Sequence, residues 1–117
     1  DPNFANVFEK RNSSLVACGT ALCKFTGAGG KSGSNDARAE LVGEVRRAFD
    51  KAGVNWQMAE LGKVDAGGGG TVAKYISKLN IDTIDIGVPV ISMHAPYEVV
   101  SKADLYSTYE AFVAFIG

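Results

Sequence analysis

His94 is the only histidine in the chain. It follows an apolar, β-branched run, Val88-Pro89-Val90-Ile91-Ser92-Met93, that reads as a buried strand. A neutral imidazole is a metal ligand or a proton carrier. Functional side chains of open α/β sheets gather where strands end and loops begin. A zinc ion, however, needs three or four donors. The nearby carboxylates Asp85, Glu98 and Asp104 supply no carboxylate pair at ligand spacing, and there is no His-x-x-x-His. The competing reading is a hydrogen-bonded structural histidine. If His94 binds metal, most of its co-ligands lie outside these 117 residues.

Two glycine-rich stretches are the other candidates. Gly27-Ala28-Gly29-Gly30-Lys31-Ser32 resembles a phosphate loop, but the first glycine that loop requires falls on Phe25. It reads as a polar connection. Gly67-Gly68-Gly69-Gly70-Thr71 precedes a helical pattern, where bare backbone can approach a ligand and free amides can meet an anion. A flexible turn fits that spacing equally well. Tyr97, Tyr106, Tyr109, Phe112 and Phe115 suit core or interface packing better than a ligand cage.

The elements that must position these residues alternate. Leu15 to Phe25 reads as a strand with a bend at Gly19. A helix follows, capped by Ser34 or Asn35, with Ala37, Leu41, Val42, Val45, Ala48 and Phe49 on one face and Gly53 at its end. Trp56 to Leu61 is a second strand, and Val72 to Leu79 a helix stopped by Asn80. Val88 to Met93 is the third strand, with Thr83 to Ile86 as an extended lead-in. The last helix runs from Lys102 to Phe115, opened by a Ser101/Asp104 capping box, with Leu105, Tyr109, Phe112, Val113 and Ile116 as its inner face. This order predicts an α/β layered sheet in one domain. Three or four strands leave two open edges, so the sheet reads as part of a larger one. A start at Asp1-Pro2 without methionine and an apolar end at Phe115-Ile116-Gly117 point the same way.

Apolar residues make up 46% of the chain and charged residues 21%, with a net charge of −1. Nothing in that balance selects nucleic acid or an acidic membrane surface. No apolar run approaches the roughly 20 residues of a membrane span, and the start does not read as a signal peptide. Cys18 and Cys23 lie five apart, on opposite faces of a strand, and cannot bridge each other. Two free thiols suit a reducing cytoplasm.

Three ordered motifs go further than spacing: Gly30-Lys31-Ser32-Gly33-Ser34-Asn35-Asp36; Gly62-Lys63-Val64-Asp65 with Gly67 to Ala73; and Gly87-Val88-Pro89 leading to Ser92-Met93-His94-Ala95-Pro96-Tyr97-Glu98. Together they resemble the aminopeptidase I and aspartyl aminopeptidase family of zinc metallopeptidases, its bacterial members above all. The resemblance implies the C-terminal segment of a three-layer α/β/α catalytic domain, residues 1–117. It implies two zinc ions held by two histidines and three carboxylates, with one of those ligands, His94, in this chain. The general base and the other ligands lie upstream in the family, so no catalytic residue is expected here. Lys24, Gly69, Gly70, Thr71 and Met93 fall where the family borders its substrate. Peptide substrates, the remaining N-terminal part of the enzyme and a homo-oligomer, often a dodecamer, are the implied partners. The rival expectation is a non-catalytic ligand-binding or assembly module.

Overall fold

A computed structural model describes residues 6, 8–26, 35–63 and 71–117. In chain order its elements are β1 (Thr20–Cys23), β2 (Phe25–Thr26), β3 (Asn35–Asp36), α1 (Ala39–Ala52), β4 (Trp56–Met58), α2 (Ala73–Ser77), β5 (Asp85–Gly87), β6 (Val90–Ile91), β7 (Val99–Val100) and α3 (Lys102–Ile116). The α/β class stands. The main sheet has the order β4-β1-β5.

β1 is central because all four of its residues are buried. It runs parallel to β4, with Leu22 opposite Met58, and α1 supplies the crossover that a parallel pair requires. It runs antiparallel to β5, with Leu22 opposite Ile86 and Cys23 opposite Asp85. On one face of this sheet Leu22 meets Val45 and Phe49 of α1, Val54 and Ala111 of α3, with Trp56, Ile84 and Ile86 around them. Phe49 and Trp56 pack edge to face at 6.4 Å. Val42, Val45 and Phe49 are the buried residues of α1, the stripe its periodicity predicts. Gly53 closes that helix at φ 71°, a conformation that suits glycine.

The predicted first strand is shortened at its start. Gln57 binds the backbone of Leu15 through both ends of its amide, at 2.8 and 2.9 Å, so Leu15 lies in a clamped loop. The chain bends at Gly19, where φ is 93° and any Cβ would sit 2.3 Å from the Asn55 carbonyl oxygen. β1 begins one residue later.

The cap of α1 also differs from expectation. Asn35 and Asp36 are β3, paired with β2, and the Asn35 amide donates to the Thr83 carbonyl at 2.7 Å. With that side chain engaged elsewhere, the helix starts after Arg38, which makes no side-chain cap. Ser34, the other predicted cap, lies outside the described residues.

A larger correction concerns the third strand. The sheet takes Asp85–Gly87, not Val88–Met93. Pro89 has no amide hydrogen to continue the ladder, and the chain leaves the sheet there. Val90–Ile91 instead pairs with Val99–Val100 in a separate hairpin, Val90 opposite Val100. Ile91, Ser92 and Met93 are exposed, so this run is not a buried strand.

The inner face of α3 is likewise not the predicted one. Asp104, Ser107, Thr108 and Ala111 are buried, while Leu105, Tyr109, Phe112, Val113 and Ile116 face outward. Nor does Asp104 form a capping box with Ser101, which makes no side-chain cap bond. Its carboxylate instead accepts the amides of Ala17 at 2.7 Å and Gly19 at 2.8 Å. Thr108 donates to the Thr20 hydroxyl at 2.9 Å. These bonds fix the rotation of the helix about its axis and tie it to the entrance of β1.

Candidate functional site

His94 lies in the turn between β6 and β7, exposed, with φ 68°. Ser92, two residues earlier, has φ 61°. Left-handed backbone is costly for residues with a Cβ and persists where its surroundings enforce it. Here the Ala95 amide donates to the Ser92 carbonyl at 2.9 Å, and the Glu98 carboxylate accepts the His94 amide. Glu98 therefore holds the backbone that displays the imidazole. Met93 beside it is half exposed.

Lys24 occupies the step between β1 and β2, and its ammonium pairs with Asp36 across the β2–β3 hairpin. Thr71 stands just before α2, where its hydroxyl accepts the Ala73 amide at 3.2 Å and donates to Asp85 at 3.1 Å. Thr26 reaches the same Asp85 oxygen at 3.3 Å. Since Asp85 lies opposite Cys23 in the ladder, Lys24 and Thr71 come to one end of the main sheet. Among the described residues, no side-chain hydrogen bond or ion pair joins this cluster to the His94 hairpin. Gly69 and Gly70 lie outside the described residues.

The sheet-end cluster includes residues that sequence reasoning does not assign to a site, Asp85 and Glu60 among them. From sequence, Asp85 stands out only as a carboxylate near His94. Its signal was the alternation Ile84-Asp85-Ile86, in which both isoleucines pack on the core and the aspartate must face the other way. Glu60 carries no site signal in the sequence, where it is one residue of the predicted strand Trp56 to Leu61. Its Oε2 is buried without a hydrogen-bond partner. Burial pushes its carboxyl up to about 7, against the opposing pull of the Phe25 amide and the Lys24 charge. The same surroundings push the Cys23 thiol up to about 12, chiefly through burial and then through the charges of Glu60 and Asp85. Cys23 is therefore an inert thiol. Both cysteines are free, Cys18 exposed and Cys23 buried.

The shift at Glu60 has a consequence for stability. A carboxyl whose folded pKa lies above its ordinary value of 4.5 favours the folded state while protonated. Stability therefore falls as pH rises from about 4.5 through about 7. Glu60→Gln should remove that slope and stabilise the chain by roughly 1–2 kcal/mol at pH 8, the full shift being reduced by partial solvent access. Urea unfolding at pH 5 and pH 8 measures both effects. An unchanged slope in the variant would assign the pH dependence to another group.

A cleft of about 220 Å³ opens beside Cys18, lined also by Gly19, Asn55, Asp104 and Ser107. It contains none of the predicted site residues, and its only carboxylate is occupied by two amides. Among the described residues, no group of three or more His, Cys, Asp or Glu side chains is arranged to hold a metal ion. No helix among them is long and apolar enough to cross a membrane.

Comparison with known proteins gives this geometry a context. Residues 1–116 match the family model described as aminopeptidase I zinc metalloprotease (M18). A probable M18 family aminopeptidase 1 of Clostridium acetobutylicum is 52% identical over all 117 residues, which are 25% of its own length. The crystal structure of aminopeptidase I from the same organism superposes with a TM-score of 0.90 at 51% identity, over 100% of this chain and 26% of that one. An M18-family structure from Thermotoga maritima gives a TM-score of 0.91 at 46% identity, over 99% of this chain and 26% of that one. The chain thus spans about a quarter of the proteins it matches.

Proposed function

The chain belongs to the aminopeptidase I zinc metalloprotease family, and on that premise we propose that it is the C-terminal segment of the catalytic domain of a dinuclear zinc aminopeptidase. The parent enzyme would remove single residues from peptide N-termini, in the cytoplasm and as a homo-oligomer. The observation that carries this reading is His94, a solitary imidazole exposed at the tip of a hairpin whose backbone is held in place by Glu98.

The donor chemistry fits one ligand and no more. A neutral imidazole is a good zinc ligand, but the neighbouring Glu98 is engaged with the His94 backbone, and the described residues assemble no set of three donors. The remaining ligands and the general base would come from outside this chain. When bound, a pair of zinc ions supplies Lewis-acid polarisation of the scissile carbonyl and acidifies water.

This chain's own residues would orient and enclose. His94 offers a ring nitrogen from a turn whose strained backbone limits where the ring can go. Met93 would form an apolar wall beside it. Thr71, pinned between Asp85 and the Ala73 amide, would fix the end of the segment containing Gly69 and Gly70. There, glycine backbone could lie close to a peptide. Lys24, with Asp36 as its counter-ion, would set the charge at the side-chain pocket.

Zinc calorimetry and a peptidase assay on the isolated 117-residue chain test the division of labour. The expected results are binding weaker than about 1 µM, because one histidine is far short of a tetrahedral set, and no hydrolysis. Nanomolar affinity or measurable hydrolysis would overturn it.

A further inference from the structure

Lys24 brings a positive charge to the end of the main sheet, and carboxyl groups gather around it. Its ammonium pairs with Asp36, and Asp85 lies opposite the preceding residue, Cys23. Glu60 adds a third acid. β4 runs parallel to β1 with Leu22 opposite Met58, and the Ala59 amide donates to the Leu22 carbonyl at 3.1 Å. The chain leaving β4 therefore stays alongside the chain leaving β1, which brings Glu60 beside Lys24 and Phe25. The Glu60 amide donates to the Asn12 carbonyl at 2.6 Å, and its carboxylate accepts the Phe25 amide. Backbone and side chain are thus both held. The other carboxyl oxygen, Oε2, is buried with no hydrogen-bond partner among the described residues. Its ionised form is offset by the Phe25 amide and the Lys24 charge.

We propose that Glu60 is a specificity-determining residue of the peptidase site: with Asp36 it offsets the Lys24 ammonium, so that the site takes neutral N-terminal residues and discriminates against aspartate and glutamate. The inference rests on the proposed function, which puts Lys24 at the side-chain pocket, and adds the substrate class that pocket selects. The Lys24 side chain keeps 40% of its surface exposed, so a substrate side chain can reach it. A lone lysine would attract a substrate carboxylate. Here the ammonium already has a counter-ion in Asp36, and an incoming carboxylate meets Asp36 and Glu60 together. Like charges placed this way reject the wrong ligand. The rejection also changes with pH. Burial raises the Glu60 carboxyl to about 7, so it is neutral below that pH and charged above it. Lys24 faces it from the step between β1 and β2, and Asp36 from β3. Cys23 faces it from β1 as a neutral thiol, pushed up to about 12. Asp85 of β5 lies beyond Cys23, bonded to the Thr26 and Thr71 hydroxyls. Acidic substrates are therefore rejected more strongly at pH 8 than at pH 6.

The test grafts this chain in place of the matching quarter of the C. acetobutylicum relative and compares kcat/KM for asparaginyl and aspartyl anilides, which differ in charge at nearly equal shape. The ratio cancels titrations common to both substrates. The asparaginyl substrate should be favoured at least about 10-fold at pH 8, and less at pH 6. In Glu60→Gln the margin should no longer vary with pH and should shrink about 5-fold at pH 8, the order expected for one unit charge several ångströms away across a partly solvated gap. Asp36→Asn should narrow the margin too, and Lys24→Met should widen it. In the isolated chain, a nuclear magnetic resonance titration of the Glu60 carboxyl carbon reads the coupling without catalysis. Its midpoint should rise in Lys24→Met and fall in Asp36→Asn. A preference for the aspartyl substrate, a margin that Glu60→Gln leaves unchanged, or a midpoint indifferent to Lys24 would each overturn the proposal and leave the peptidase reading intact. A folded chimaera that hydrolyses neither anilide would overturn both.

Discussion

Replacing His94 with alanine is expected to cost at least about 100-fold in zinc affinity and in peptide hydrolysis, in a chimaera where this chain replaces the matching quarter of the C. acetobutylicum relative. Groups that merely support a ligand are worth 10–100-fold, and a direct ligand exceeds them. The isolated chain should lose no more than about 0.5 kcal/mol of stability from the same change, because the ring is exposed. His94→Asn suits the left-handed backbone at φ 68° better than alanine does, yet supplies a poor zinc ligand. It should therefore preserve the hairpin without restoring activity. Activity in either variant near that of the parent chimaera would show that the imidazole is not a ligand.

Asp104→Ala should produce the largest loss of stability, about 3–5 kcal/mol. The carboxylate is 1% exposed and accepts two amides, from Ala17 and Gly19. Bonds to a charged group are worth about 1.5–3 kcal/mol each, and removing the acceptor leaves donors without partners. Asp104→Asn keeps one acceptor oxygen and should lose about half as much. Because these bonds position the chain just before β1, the alanine variant should also expose the Gly19 and Thr20 amides to hydrogen exchange. A loss below about 1 kcal/mol in urea unfolding would mean that the loop finds other acceptors.

The elements that were legible in the sequence are those whose partners lie within it. The apolar stripe of α1 meets Leu22 and Trp56 of the main sheet, so its periodicity predicts its buried face. The same rule failed for α3. Its stripe faces away from this chain, and the residues that hold it, Asp104 and Thr108, carry a polar signature that reads as surface or cap. The strand at Val88 to Met93 failed for a local reason. β-branched residues suggest a buried ladder, but Pro89 interrupts it, and Asp85–Gly87 takes its place.

Site residues divide along similar lines. Motif resemblance alone singles out Lys24 and Met93, which no spacing rule would find, whereas Thr71 also closes the glycine run ahead of a helical pattern. Glu60 and the Thr26–Thr71–Asp85 contacts depend on β1, β4 and β5 meeting, which no local pattern encodes. His94 was visible as the lone histidine, but its display at a hairpin tip follows from Pro89 and from Glu98.

The most direct measurement is a crystal structure of the chimaera with data collected at the zinc absorption edge. The account predicts anomalous density about 2.0–2.1 Å from a ring nitrogen of His94, the distance of a zinc–imidazole bond, with the other donors contributed by the grafted sequence. Two fully coordinated zinc ions with the His94 ring apart from both would contradict it.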